Sequence, residues 1–349
     1  MSKIHEVDRN FYVESKLNLE DVEYYNVKEN PWCLYGLLID DVFRRMPKQI
    51  AQKVNDGVYS LHTNTSGGRL RFVTDSPYIA IVAKIPDKVH FPHMPQTGIS
   101  GFDMYVDNRF YSSFIPPIDM ENSFSGVNFF KTSEEKNITI NFPLYNNVSD
   151  LYIGLKKGSS FKKVDDYKQK EKIVYYGSSI TQGGCVSRPG LAYPAIISNE
   201  IVCDYINLGF SGSAKGETVM AEYIASLNPD IFVLDYDHNA PTEEHLKNTH
   251  EKFFKTFRKL CPNTHVVIIS APNFKYGYLD WSARREIIKT TYNNAWLSGD
   301  KNVCFIDGEK LWGEESWDLC TMDCTHPNDL GHFRMAQAIL PNIKELISR

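Results

Sequence analysis

The stretch Ile173-Val174-Tyr175-Tyr176-Gly177-Ser178-Ser179-Ile180-Thr181-Gln182-Gly183 decides the fold. A short continuous apolar run bounded by glycine and serine reads as a strand buried on both faces. The glycine and the two serines that follow are turn chemistry, and a helix start after them would use a serine as its cap. A hydroxyl set between a strand and a helix N-terminus lies where developing negative charge is favoured. The motif is not Gly-x-Ser-x-Gly, because Thr181 holds its last position.

The same rhythm continues to the C-terminus. Further apolar runs occur at 205–208, 231–234, 266–270 and 303–306, and helix-length segments at 192–201, 219–227, 242–260, 282–297 and 329–347. Strands alternating with helices predict a five-stranded parallel sheet covered on both faces. Ligands in such sheets bind beyond the carboxyl ends of the strands. After the second run comes Asn207-Leu208-Gly209-Phe210-Ser211-Gly212-Ser213, whose glycines allow close backbone approach. After the third comes Asp235-Tyr236-Asp237-His238-Asn239-Ala240-Pro241, where an amide could complete an oxyanion site or simply hold a turn. Near the end, Asp323-Cys324-Thr325-His326-Pro327 sets an Asp three residues before a His, so that the carboxylate can fix the imidazole tautomer.

The residues before Val164 have a different character. Short β-like runs at 70–73, 78–85, 101–106, 138–142 and 151–155 alternate with turn signals, and Asp107-Asn108 reads as a hairpin turn. That pattern predicts an antiparallel sandwich or jelly roll. Two domains are therefore expected, 1–164 and 165–349, with residues 1–60 packing across their boundary.

Net charge is −5, which gives no reason to expect nucleic acid or an anionic membrane as partner. No apolar run approaches the roughly 20 residues that span a bilayer. The polar start Met1-Ser2-Lys3-Ile4-His5-Glu6 lacks a signal core, so the chain as written reads as cytoplasmic, and as secreted or periplasmic if a leader was removed. Seven cysteines without a CxxC pair suit reduced, mostly buried thiols. Cys320, Cys324, His326 and His332 have some likeness to a zinc cluster, which ranks below hydrolytic chemistry because it leaves Ser179 and Gly212 unexplained.

Four of these segments, in order, resemble the signature blocks of the SGNH/GDSL serine hydrolases. The family's Gly-Asp-Ser-Ile/Leu-Thr block matches Gly177-Ser178-Ser179-Ile180-Thr181, with Ser178 in place of Asp, and its oxyanion glycine matches Gly212. The third block, usually Gly-x-Asn-Asp, departs here, and Asn239 is its best match; the Asp-x-x-His block is met by Asp323 and His326. The resemblance covers about residues 170–349 and implies a flavodoxin-like three-layer α/β fold. It implies Ser179 as nucleophile, His326 as base, Asp323 as its orienting acid, and an oxyanion hole of Ser179, Gly212 and Asn239, with no metal or cofactor. The N-terminal half resembles the β-sandwich domain of a subset of bacterial SGNH proteins, many of them associated with carbohydrate esters.

The expectation is a serine esterase acting on short acyl groups, acetyl above all, of a carbohydrate or other small-molecule ester. Arg188 is expected at the pocket, hydrogen-bonding sugar hydroxyls or a carboxylate, or else in a surface turn. Alternatives are a lipase- or thioesterase-type acyl hydrolase, and a catalytically inactive carbohydrate-binding protein. A homo-oligomer is compatible with the sequence.

Overall fold

The computed structural model describes residues 19–87, 89–272 and 281–348. The polar start on which the compartment reading rests lies outside them.

Gln169–Gly177 (β1), Cys203–Gly209 (β2), Ile231–Asp235 (β3), His265–Ile269 (β4) and Val303–Ile306 (β5) form one parallel sheet in the order β2-β1-β3-β4-β5. Alternation along β1 sends Val174 and Tyr176 to one face and Ile173 and Tyr175 to the other. The first face packs on helices Thr218–Ser226, Glu243–Leu260 and Ser282–Leu297, the second on Tyr193–Ile201 and Asp329–Ile347. This is the expected three-layer arrangement, and the chain reverses its direction of winding at β1. Ser179 follows β1 directly, at that topological switch point.

The N-terminal half is a sandwich of two antiparallel sheets. One holds Val22–Asn26, Asp150–Lys156, Tyr78–Lys84 and Ser123–Phe129 in spatial order; the other holds Leu34–Tyr35, Arg69–Thr74, Lys136–Asn141, Phe102–Val106 and Arg109–Phe114. Ile79, Ile81, Leu151 and Ile153 from the first meet Leu70, Phe72, Ile138 and Ile140 from the second in a common core. The hairpin at Asp107-Asn108 has φ of 48° and 64°, the left-handed pair that a two-residue turn of right-handed twist requires.

This half also holds helices. Residues Lys48–Val54 and Asp56–Leu61 are helices, and Met46, Ala51 and Val58 are buried in the α/β core beside Leu208 and Phe210. The 46–61 segment thus packs on the α/β half, whereas Val22–Asn26 and Leu34–Tyr35 belong to the sandwich sheets.

Arg188 lies in the loop after the helix Ser179–Gln182 and reaches the sandwich half. Its Nη1 donates to Asp103 Oδ2 at 2.7 Å and to the Tyr105 hydroxyl at 2.7 Å, and its guanidinium lies 3.8 Å from the Phe110 ring centroid. Asp103 is fully buried and also accepts from Asn141 Nδ2 and Gly190 N, both at 2.8 Å. Burial pushes the Asp103 carboxyl up, and Arg188 opposes that shift. A buried carboxylate of the sandwich half thus holds the Arg188 guanidinium.

All seven cysteines are free thiols, five of them buried. Among the described residues no helix is long and apolar enough to cross a membrane.

Two predictions follow from buried carboxyls. Arg188→Ala leaves Asp103 without its cation and should cost about 3–5 kcal/mol in denaturant unfolding, with kcat kept in the folded fraction. A large fall in kcat at unchanged stability would return Arg188 to the substrate site. Asp235, 1% exposed at the end of β3, has its carboxyl raised well above the usual range by burial and by Asp237. Its contribution is fully present below the unfolded carboxyl value of about 3.9 and is lost as pH rises towards and through the folded value. Asp235→Asn should therefore gain stability relative to wild type between pH 4 and 8; a loss over that window would show an ionised, paired Asp235 instead.

Candidate active site

The site is built on the turn after β1. A Cβ on Gly177 would stand 2.0 Å from Thr181 Oγ1 and 2.3 Å from Asp235 O, so the turn closes only over glycine. Ser178 caps the short helix Ser179–Gln182, its hydroxyl accepting from Ile180 N at 3.2 Å. The residue standing where the family usually has Asp is thus an N-cap with no charge. Below the turn, Asp235 Oδ2 accepts from the hydroxyls of Thr181 at 3.0 Å and Tyr193 at 3.1 Å.

Ser179, 8% exposed, has its Oγ 2.9 Å from His326 Nε2, and His326 Nδ1 is 2.8 Å from Asp323 Oδ2. With the Nδ1 proton directed to Asp323, Nε2 accepts from the Ser179 hydroxyl. Asp323 Oδ1 accepts from the backbone N–H of Thr325 at 3.0 Å and of His326 at 2.7 Å. One carboxylate therefore folds the 323–326 loop and orients the ring. Partial burial pushes the Asp323 carboxyl up, but the His326 backbone N–H and imidazole outweigh it and hold it below the usual range.

Gly212 has φ of +66° and nothing within 4 Å of where a Cβ would be, so it borders open space. Asn239 Nδ2 donates to Phe210 O at 2.8 Å, which ties the loop after β3 to the loop after β2. An amide has a second N–H to offer. Gly212, His238 and Asn239 line a cleft of about 700 Å³ together with Pro241, Thr242, Glu243, Glu244, Trp281 and Arg284. Arg284 shapes its wall, donating to Asp237 O and, at 2.8 Å, to Ala240 O. Burial pushes the Asp237 carboxyl up to about 6. Burial, His326 and Arg284 push His238 down to about 3, so it stays neutral.

Several residues that hold this arrangement carry no motif. Gln182 is fully buried; its Nε2 donates to Asn64 Oδ1 at 3.1 Å and Leu144 O at 3.0 Å, and its Oε1 accepts from Ser211 N at 2.9 Å. The Tyr145 hydroxyl donates to Ser179 O at 3.2 Å. From the final helix, Asp329 accepts from Ser187 N at 2.7 Å and Ser187 Oγ at 2.6 Å. His332, fully buried and pushed down to about 4 by burial, accepts from Tyr193 N at 3.2 Å and donates to Gly184 O at 3.1 Å. These bonds correct the zinc-like reading of the C-terminal cysteines and histidines: His332 has both nitrogens engaged, and the Cys320 thiol is turned to the Trp312 and Ser316 carbonyls. The one signal that pointed to Gln182 and His332 was nearness in sequence to Ser179 and His326.

Residues 170–344 match the GDSL-like lipase/acylhydrolase family, and residues 22–161 match the N-terminus of SGNH-hydrolase-type esterases. Among solved structures, a Bacteroides ovatus protein described as a GDSL-like lipase is 30% identical, with TM-score 0.83 over 94% of this chain and 98% of its own. A salicylyl-acyltransferase of a tetracycline biosynthetic pathway is 21% identical, with TM-score 0.74 over 95% of this chain and 96% of its own. An acetyl xylan esterase from Butyrivibrio proteoclasticus is 15% identical, with TM-score 0.60 over 93% and 99%. No curated protein matches the chain. With half of its length under one family model and nearly all of it alike in fold to a relative of 30% identity, the chain belongs to the GDSL-like lipase/acylhydrolase family and is an SGNH-type, ester-hydrolysing enzyme.

Proposed function

We propose that the enzyme removes short acyl groups, acetyl above all, from a carbohydrate, with Ser179 as nucleophile. The observation that carries this reading is the unbroken hydrogen-bonded chain from Ser179 Oγ through His326 to Asp323 at the end of β1. Ser179 Oγ attacks the ester carbonyl while His326 Nε2 takes its proton and then passes it to the leaving alcohol. Asp323 stays ionised and stabilises the imidazolium. The backbone N–H groups of Ser179 and Gly212, with the Asn239 amide, receive the oxyanion. Water, activated by His326, then cleaves the acyl-enzyme.

The carbohydrate part of the reading is supported by the named substrate of the Butyrivibrio enzyme and by a cleft that sets the indole of Trp281 among polar side chains. A sugar ring has an apolar face for an aromatic and hydroxyls for the rest. In this reading residues 1–164 form the sandwich domain and 165–349 the hydrolase domain. The sandwich positions the catalytic turn, and with it the substrate, through Tyr145. A second reading, transfer of the acyl group to an alcohol in place of water, is favoured by the likeness to the salicylyl-acyltransferase.

Three measurements test this. Ser179→Ala should abolish hydrolysis of p-nitrophenyl acetate, with longer acyl homologues cleaved more slowly by the wild type. Equal rates in both proteins would remove Ser179 as nucleophile, and a preference for long chains would move the enzyme to the lipase class. Added alcohol acceptors separate transfer from hydrolysis by the ester formed. Asn239→Ala should lower kcat by about 10²–10³ with KM little changed, the usual cost of one oxyanion donor. An unchanged kcat would leave Asn239 with its tie to Phe210 as its role.

A further inference from the structure

Beside the Ser179–His326 pair lies a set of groups that ester hydrolysis does not use. His93 comes from the 89–95 loop of the sandwich half and is exposed; Cys185, six residues after the nucleophile, is buried. One ligand atom each from His93, Cys185 and His326 lie within 4.8 Å of one another. The His93 and His326 ring centroids are 5.9 Å apart.

We propose that these three side chains bind a zinc ion that switches the esterase off. Two imidazole nitrogens and a thiolate are a borderline-soft donor set, suited to zinc and unsuited to magnesium or calcium. Ligand arms of about 2.0–2.3 Å in a tetrahedron require donor separations of about 3.3–3.8 Å, so the approach needed is about one ångström. His93, exposed on its loop, is the residue that can supply it.

Cys185 has φ of +69°, a left-handed conformation uncommon outside glycine, asparagine and aspartate. Two glycines precede it, yet the strained position is occupied by a residue with a side chain. Strain of this kind clusters at functional sites. Burial and Asp323 push its thiol up to about 12, so it is no nucleophile at neutral pH. A metal ion reverses that disadvantage by displacing the thiol proton to solvent.

The His326 side is already arranged for metal. Its Nδ1 bonds to Asp323, the carboxylate–histidine pairing that orients metal-binding imidazoles and raises their basicity. Nε2 is then the ligand atom. Its lone pair cannot serve the metal and accept the Ser179 proton together, so occupancy removes the base. A water completes the fourth position.

The inhibition half of the proposal rests on His326 as the base; the binding half does not. Zinc is titrated calorimetrically into tag-free wild type in a non-chelating buffer, in parallel with p-nitrophenyl acetate hydrolysis. One ion per chain should bind and inhibit, with activity restored by a chelator and magnesium without effect. His93→Ala and Cys185→Ser should each weaken zinc binding tenfold or more and raise the inhibitory concentration by the same factor, with zinc-free turnover retained. Ser179→Ala should bind zinc as wild type does. If Cys185→Ser fails to fold, exposed His93→Ala carries the test. Binding absent at about 100 μM zinc, or unaffected by either substitution, overturns the site. A wild type that binds zinc at this site but cleaves no ester would refute the esterase reading and keep the metal site, whereas binding without inhibition would refute the switch.

Discussion

The buried side chain of Gln182 is the point on which both halves of the molecule close. An amide with no exposure must find its hydrogen bonds inside the protein or cost the fold their full desolvation energy. Its donors reach two oxygens of the sandwich half, Asn64 Oδ1 and Leu144 O, and its acceptor takes the N–H of Ser211 in the loop after β2. Gln182 also ends the short helix that begins with Ser179. The position of Ser179, the shape of the glycine loop and the docking of the sandwich are thus one structural condition. Ser66 Oγ, donating to Gln182 O at 2.6 Å, and Tyr145, donating to Ser179 O, add further ties from the sandwich half to the same turn.

Charge is distributed about the turn with the same economy. The family's usual acid beside the nucleophile is Ser178 here, fully buried and capping the helix without charge. The nearest buried carboxyl, Asp235, sits under the turn and is pushed towards its neutral form. His238 and His332 are held neutral by burial. Asp323 is the exception, half-exposed and held below the usual carboxylate range. The Asp323 anion lies at the solvent edge, where hydration and three donors support it, while His238 and His332 carry no charge.

The alternation of apolar runs and helix-length segments made the parallel half legible, because a doubly covered sheet imposes a local pattern on every strand. Of the residues the family resemblance singles out, Ser179, Gly212 and Asn239 lie in the loops after those strands, and Asp323 and His326 in the loop before the last helix. What stayed hidden depends on contacts distant in sequence. The helices at 48–61 bury Met46, Ala51 and Val58 against the other half of the chain, so their apolar spacing says nothing of the sandwich around them. Ser123–Phe129 carries no strand signal because only Phe124 along it is buried, and Gly126 interrupts what pattern remains. Arg188 reads locally as a pocket or a surface-turn residue because its partner Asp103 lies 85 positions away. A local reading detects a charged residue in a turn and cannot detect the carboxylate that claims it.

The third signature block is where local and long-range demands meet. Asp235-Tyr236-Asp237-His238-Asn239 departs from the usual pattern, and its side chains are tied into the fold. Tyr236 is buried against Tyr176 and Phe253, Asp237 accepts from Ala271 N at 2.8 Å, and Arg284 grips the Asp237 and Ala240 carbonyls. The short turn Asp237–Asn239 then delivers Asn239 to the Phe210 carbonyl beside Gly212. Donors aimed at a developing oxyanion stabilise it most when they need not reorganise during the reaction. On the proposed reading, Asn239, fixed by one N–H to the loop that carries Gly212, meets that condition for its other N–H.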